Sequence, residues 1–268
     1  MKFWKYQGAG NDFVMLDQRE SQWLNRKDTA LIELLCHRRF GIGADGLILL
    51  QNAAGYDFEM IYFNADGRES TLCGNGGRCI AAFAHHLGII AEQGRFLAID
   101  GPHDAKVVPK NEHAAWVELK MSDVGAVALH DGAYVLNTGS PHYVQFVEHL
   151  AEMDVAAEGR AIRYSAPWKT AGINVNFVEN KGDTLHIRTY ERGVEDETLA
   201  CGTGVTAAAI AAHLRRSAAP GPAEIALKAR GGDLAVRFEA DSDGRFSNIW
   251  LCGPAVRVFE GTIDLTAF

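Results

Sequence analysis

The chain contains a near-copy of one of its own segments, and that repeat limits the architectures open to it. Glu69-Ser70-Thr71-Leu72-Cys73-Gly74-Asn75-Gly76 and Glu197-Thr198-Leu199-Ala200-Cys201-Gly202-Thr203-Gly204 share a glutamate, a hydroxyl residue, a cysteine and two glycines in register, at an offset of 128 residues, the separation of Cys73 from Cys201. Each segment runs into an alanine-rich apolar stretch, Cys79 to His85 and Ala207 to His213, in which His85 and His213 keep the same offset. Each follows an alternating stretch that reads as a strand, with Phe58, Met60 and Tyr62 in the first and Leu185, Ile187 and Thr189 in the second. About sixty residues before each cysteine stands a further related pair, Gly10-Asn11-Asp12-Phe13-Val14 and Gly139-Ser140-Pro141-His142-Tyr143-Val144, the second one residue longer. Matches at this many positions point to a gene duplication and to two like-folded α/β (α+β) lobes, each of a size that closes its own core. Ligand sites commonly lie between such lobes.

Composition removes several classes of function. A formal charge of −8, with 34 acidic against 26 basic residues and no basic block, disfavours nucleic acid as a partner. The most apolar windows, Ile80 to Ala91 and Val205 to Leu214, are too short to span a bilayer, and the N-terminal residues lack a secretory pattern, so a cytoplasmic protein that does not engage membranes is expected. Five cysteines (Cys36, Cys73, Cys79, Cys201 and Cys252) without a secretion signal or a C-x-x-C pair argue against a disulfide framework or a zinc site. Cys36, Cys79 and Cys252 lie in apolar runs and read as small buried hydrophobes.

Cys73 and Cys201 read differently. Both stand where a polar turn ends and an apolar helix begins, so Gly74, Gly76, Gly77, Gly202 and Gly204 fall at the first helical turn. Amide N–H groups there have no partner within the helix, and the terminus carries partial positive charge that favours a carboxylate ligand and a thiolate. Two such elements related by an internal twofold suit inversion of a carbon centre: a thiolate removes a proton from one face while a thiol delivers one to the other. The α-proton of an amino acid is weakly acidic, so the carbanion needs oriented dipoles in a dry pocket, which two helix N-termini supply.

The ordered series Gly10-Asn11-Asp12-Phe13-Val14, Arg39-Phe40-Gly41-Ile42-Gly43-Ala44-Asp45-Gly46, Tyr62-Phe63-Asn64-Ala65-Asp66-Gly67, Cys73-Gly74-Asn75-Gly76-Gly77-Arg78-Cys79, Gly139-Ser140-Pro141-His142, Asn174-Val175-Asn176-Phe177 and Glu191-Arg192-Gly193 through Cys201-Gly202-Thr203-Gly204 closely resembles diaminopimelate epimerase over nearly the whole chain. The resemblance implies two pseudo-symmetric lobes, each a mostly antiparallel sheet wrapped around a central helix, with the active site in the cleft between them. It implies conversion of LL-diaminopimelate to the meso isomer, for lysine and peptidoglycan synthesis, with no pyridoxal phosphate, no metal and no other cofactor. Cys73 and Cys201 would be the acid/base pair, and the backbones of Gly74, Asn75, Gly202 and Thr203 would hold the reacting end of the substrate. Asn11, Asn64, Asn174 and Arg192 would read its remaining polar groups, and His142 and Glu191 would orient the amine and tune the thiols. Ser140 stands where many members have Asn, and Gly46 where some have a substrate-binding Gln.

Other readings have specific consequences. A racemase of another amino acid such as histidine would keep both cysteines and change the distal pocket. A redox sensor would join Cys73 to Cys201 in a switchable disulfide. A binding module for amino acids would not need two thiols. Gly41-Ile42-Gly43-Ala44-Asp45-Gly46 matches the dinucleotide fingerprint, but it follows a helix-like segment and precedes a strand-like one, the reverse of the required order. The partner expected is a small-molecule amino acid, and monomer and homodimer are both left open, as is the choice of resting thiolate. The polar stretches Asp100 to Asp104 and Pro109 to Glu112 read as turns near the end of the first lobe. The expected lobes are residues 1–115 with 256–268, and residues 116–255.

Overall fold

A computed structural model of the chain describes residues 1–267. In chain order the first elements are β1 (Lys2–Gly8), β2 (Asn11–Asp17), α1 (Thr29–Cys36), β3 (Gly46–Gln51), β4 (Phe58–Asn64), β5 (Glu69–Ser70), α2 (Gly74–His86), β6 (Gln93–Ala98), β7 (Gly101–Pro109) and β8 (Ala114–Lys120). They are followed by β9 (Ala128–His130), β10 (Ala133–Asn137), β11 (Pro141–Phe146), α3 (Val155–Arg163), β12 (Asn174–Lys181), β13 (Thr184–Glu191), β14 (Asp196–Thr198), α4 (Gly202–Arg215), β15 (Gly221–Ala229), β16 (Gly232–Ala240) and β17 (Phe246–Thr262). The chain is a mixed α/β fold dominated by barrel-like sheet. It divides into two compact units, Met1–Leu119 with Gly253–Phe268, and Lys120–Cys252.

In the first unit the strand pairings close on themselves. They run β1, β2, β3, β4, β6, β7, β8 and the second half of β17, which returns to β1. Only β2 with β3 and β4 with β6 are parallel, and α1 and α2 respectively supply those two crossovers, since parallel neighbours cannot be joined by a tight turn. α2 packs on β1, β2, β3 and β7, while α1 packs on β3 and contributes Ile32, Leu35 and Cys36 to a cluster with Val14, Leu16, Leu47, Leu49, Ile61 and Phe63. β3 and β4 are therefore apolar on both faces. This is why Leu47-Ile48-Leu49-Leu50 is a continuous apolar run, and why Ile61 and Phe63 are buried as well as the alternating Phe58, Met60 and Tyr62.

The second unit runs β9, β10, β11, β12, β13, β15, β16 and the first half of β17, with β11 beside β12 and β13 beside β15 as its parallel pairs. Here α3 and α4 make the two crossovers. α4 packs on β10, β11, β12, β13, β15 and β16, and Val205 through Ala212 are buried to 1% exposure or less, as an alanine-rich helix enclosed on all sides requires.

One sequence expectation fails. Gly101 to Asp104 is not a turn but the start of β7, paired with β6 from Ala98↔Gly101 to Gln93↔Lys106, and only the link at Ile99-Asp100 turns. Half-buried and exposed residues alternate along this part of β7, so its polar residues belong to a solvated stretch of sheet that resembles a loop in composition. Of the expected turn Pro109 to Glu112, Pro109 still belongs to β7, and Lys110 to Glu112 lie in the bend that runs on to His113 before β8. Among the described residues, no helix is long and apolar enough to cross a membrane.

Candidate active site

Both cysteines occupy the same local position. Cys73 is the residue preceding α2, with φ −91° and ψ 124°, and Cys201 precedes α4, with φ −110° and ψ 113°. Each carbonyl accepts the first intrahelical bond, from Gly77 N–H at 2.7 Å and from Val205 N–H at 2.9 Å. Neither thiol caps its helix, and the helix offers its first-turn amides no acceptor of its own. Gly74, Asn75 and Gly202 are buried there and Thr203 is half-buried, so these termini act in surroundings of low polarity.

In the first unit a tight turn with positive φ at Ala9 (51°) and Gly10 (83°) links β1 to β2 and sets Asn11 as the first residue of β2. The Asn11 amide Nδ2 donates to the Asp45 carboxylate at 2.7 Å. Its Oδ1 is thereby turned toward Cys73 Sγ and Asn75 Nδ2, each at 3.4 Å. Asp45 is held in turn by Arg38 at 2.7 Å, and Arg38 and Lys5 both grip Asp12 at 2.8 Å. Burial pushes the Asp12 carboxyl up, but the hydrogen bonds from Arg38 and Lys5 outweigh it and hold Asp12 well below the ordinary carboxylate range. Asn64 ends β4 with its side chain exposed, opposite Gly46. A Cβ on Gly46 would lie 2.5 Å from Phe63 O and 2.7 Å from Tyr62 Cε2, so the ring of Tyr62 already fills the space of a side chain at position 46.

The second unit assembles a larger polar cluster. His142, fully buried on β11, has Nε2 2.8 Å from Thr203 Oγ1 and 3.0 Å from Ser140 Oγ, and Thr203 Oγ1 lies 3.4 Å from Cys201 Sγ. Asn174 Nδ2 donates to Ser140 Oγ at 3.1 Å and to Pro141 O at 3.0 Å, while Asn174 Oδ1 accepts the Arg192 N–H at 2.9 Å. Ser140 thus binds Asn174, His142 and Thr203. Burial, reinforced by the Arg192 charge, pushes His142 down to about 3, so the ring is neutral at physiological pH. Glu191, next to Arg192 at the end of β13, is half-buried, and burial raises its carboxyl against an opposing pull from Thr198.

Cys36, Cys79 and Cys252 are buried to 2% exposure or less, and burial pushes the Cys36 thiol up to about 12, as befits inert packing residues. The helix α1 precedes the Gly41 to Gly46 run and β3 follows it, an order that cannot cradle a dinucleotide. Among the described residues no group of three or more His, Cys, Asp or Glu is arranged to hold a metal ion.

Asp45, Arg38, Thr189 and Asn176 join the site only through the fold. Asn176 is fully buried, donating from Nδ2 to His142 Nδ1 and Tyr143 O and accepting from Thr189 on Oδ1, all at 3.0 Å. The period-two alternation of β12, which puts Asn174 and Asn176 on one face, was the available signal. Gly204 makes the fit: a Cβ there would sit 2.3 Å from Asn176 Oδ1.

The sequence model of the family described as diaminopimelate epimerase matches residues 3–122 and 134–258. The chain belongs to that family. A diaminopimelate epimerase from Flavobacterium psychrophilum is 52% identical, covering 98% of this chain and 100% of the relative. Another from Chlorobaculum tepidum is 43% identical over 96% and 99% of the two chains. Among solved structures, a phenazine biosynthesis protein of the PhzF family from Bacillus anthracis superposes with a TM-score of 0.77 at 14% identity, covering 99% of each chain. A hydroxyproline epimerase from Agrobacterium vitis gives 0.70 at 13% identity, over 99% of this chain and 92% of that one. These structural likenesses establish the fold.

Proposed function

We propose that this isomerase is a cytoplasmic, cofactor-independent two-base epimerase that interconverts LL-2,6-diaminopimelate and meso-diaminopimelate, on the route to lysine and peptidoglycan. The observation that carries the reading is the equivalent placement of Cys73 and Cys201, each at the entry of a buried helix in its own unit. The order of elements supports a duplication. In each unit a parallel pair bridged by a helix is followed by an antiparallel strand, a short strand, the cysteine and the buried helix, and then further antiparallel strands. The finer picture of two pseudo-symmetric lobes around central helices, with a site in the cleft between them, is part of this proposal.

In that site the amides of Gly74, Asn75, Gly202 and Thr203 take the α-carboxylate, whose charge grows as the carbanion forms, so the helix termini stabilise the transition state more than the ground state. One sulfur removes the α-proton and the other delivers a proton to the opposite face. Asn11, Asn64, Asn174 and Arg192 read the distal amino-acid group, which has to be zwitterionic to satisfy them, and His142 and Glu191 orient the amine and tune the thiols.

The test is exchange in deuterated water. Reduced protein, incubated with LL-diaminopimelate and without pyridoxal phosphate, is expected to place deuterium at the α-carbon and to form the meso isomer together. Neither signal from folded, reduced protein would overturn the substrate assignment, and exchange with histidine or another amino acid instead would identify a racemase on the same scaffold.

A further inference from the structure

Two amides, oriented by separate networks, make opposite demands on the two catalytic sulfurs. The flip of Asn11 is fixed because a carboxylate only accepts, so Nδ2 must face Asp45 and the carbonyl Oδ1 must face Cys73. An acceptor 3.4 Å from Sγ favours a thiol that donates to it.

In the second unit a chain of hydrogen bonds leads to Cys201. Asn176 Nδ2 faces Tyr143 O, a carbonyl that can only accept, and Oδ1 receives the Thr189 hydroxyl, so the amide cannot be reversed. The same Nδ2 therefore donates to His142 Nδ1, which must be bare, and the single proton of the neutral ring sits on Nε2. From Nε2 it is donated to Thr203 Oγ1, at 2.8 Å the shorter of its two contacts. Ser140 Oγ accepts from Asn174 Nδ2 and turns its own proton to Thr203 Oγ1 at 3.1 Å, so both lone pairs of that hydroxyl are engaged and its proton is left for Cys201 Sγ, where a donor favours thiolate over thiol.

We propose that Asn176, backed by Thr189, is a positioning residue that fixes the tautomer of His142 and so makes Cys201 the resting thiolate and Cys73 the resting thiol. The proton lost by Cys201 goes to solvent. This rests on the two-cysteine reading of the site, but its tests need no turnover of diaminopimelate, so the two fail separately.

Reduced full-length protein is treated with limiting iodoacetamide at neutral pH, and alkylation is followed cysteine by cysteine through peptide mass spectrometry. Cys201 is expected to react at least about tenfold faster than Cys73. In Thr203→Val the Cys201 rate should fall to that of Cys73 or below, and Thr203→Ser should restore it. Long-range proton–nitrogen spectra of the unmodified protein should show His142 protonated on Nε2 alone, and Asn176→Leu should lose that single form. Cys73 reacting as fast as Cys201, or a wild-type ring protonated on Nδ1, overturns the proposal; both readings come from the native protein, so a variant that does not fold leaves the test intact.

Discussion

His142 shows how burial and hydrogen bonding convert a titratable group into a fixed donor. Its ring is fully enclosed and pushed down to about 3, against an ordinary value near 6.5. The unfolded chain takes up a proton as pH falls through 6.5 while the folded ring does not. Stability from this residue is therefore complete above 6.5 and is lost toward pH 3, at roughly 1.4 kcal/mol per pH unit. Urea unfolding at pH 7 and pH 5 is expected to show an acid loss about 2 kcal/mol smaller in His142→Asn than in wild type; equal losses would mean that the folded ring is charged. At this scale the sequence was most legible where a residue's use is local. Cys73 and Cys201 announce themselves by standing between a turn and a helix. Asn176 does not, because its role exists only once Gly204 on α4 has come against β12, a contact between residues far apart in the chain. Asn11 was legible as a site residue, but the Asp45 carboxylate that decides which way its amide points was not.

The helices α2 and α4 carry a compromise at their starts. The preferred residues at such a position are Ser, Thr, Asp and Asn, whose oxygens bond the first-turn amides, and Cys73 and Cys201 make no such side-chain bond. Replacing either with Ser supplies a cap of similar size. Each of Cys73→Ser and Cys201→Ser is expected to hold or raise thermal stability, by up to about 1 kcal/mol. Each should also cut epimerisation by at least about 100-fold, because a serine hydroxyl does not ionise as a thiol does. Calorimetry and isotope exchange on the same samples check both, and a variant that keeps its turnover would remove that sulfur from the chemistry. The elements themselves were read well where apolar periodicity or length is strong, as in α2, α4 and β3. They were misread where polar residues lie on a solvated sheet face: β7 begins with Gly101, Pro102, His103 and Asp104, a composition typical of turns, and only its pairing with β6 makes it a strand.

At the scale of the molecule, β17 serves both units in succession. Ala235 to Ala240 of β16 pair with its first half, Ala114 to Val117 of β8 with its middle, and Lys2 to Gln7 of β1 with its end. Nothing in the local pattern of Phe246–Thr262 announces three partners, because one alternating strand suits any of them. A chain ending at Cys252 would leave β1 and β8 as open edges with unpaired N–H and C=O groups. It is expected to be recovered as aggregate rather than as a folded protein of reduced activity, and size-exclusion chromatography would reveal the difference. The closing of the first ring by residues more than two hundred positions downstream also sets an order of events during synthesis. The N-terminal sheet leaves the ribosome early but cannot complete its hydrogen bonding until β17 emerges, so it waits with two exposed edges while the second unit is made. The time the ribosome needs to traverse the second unit is thus a period of vulnerability to misassembly, when a chaperone would be of most use to the nascent chain.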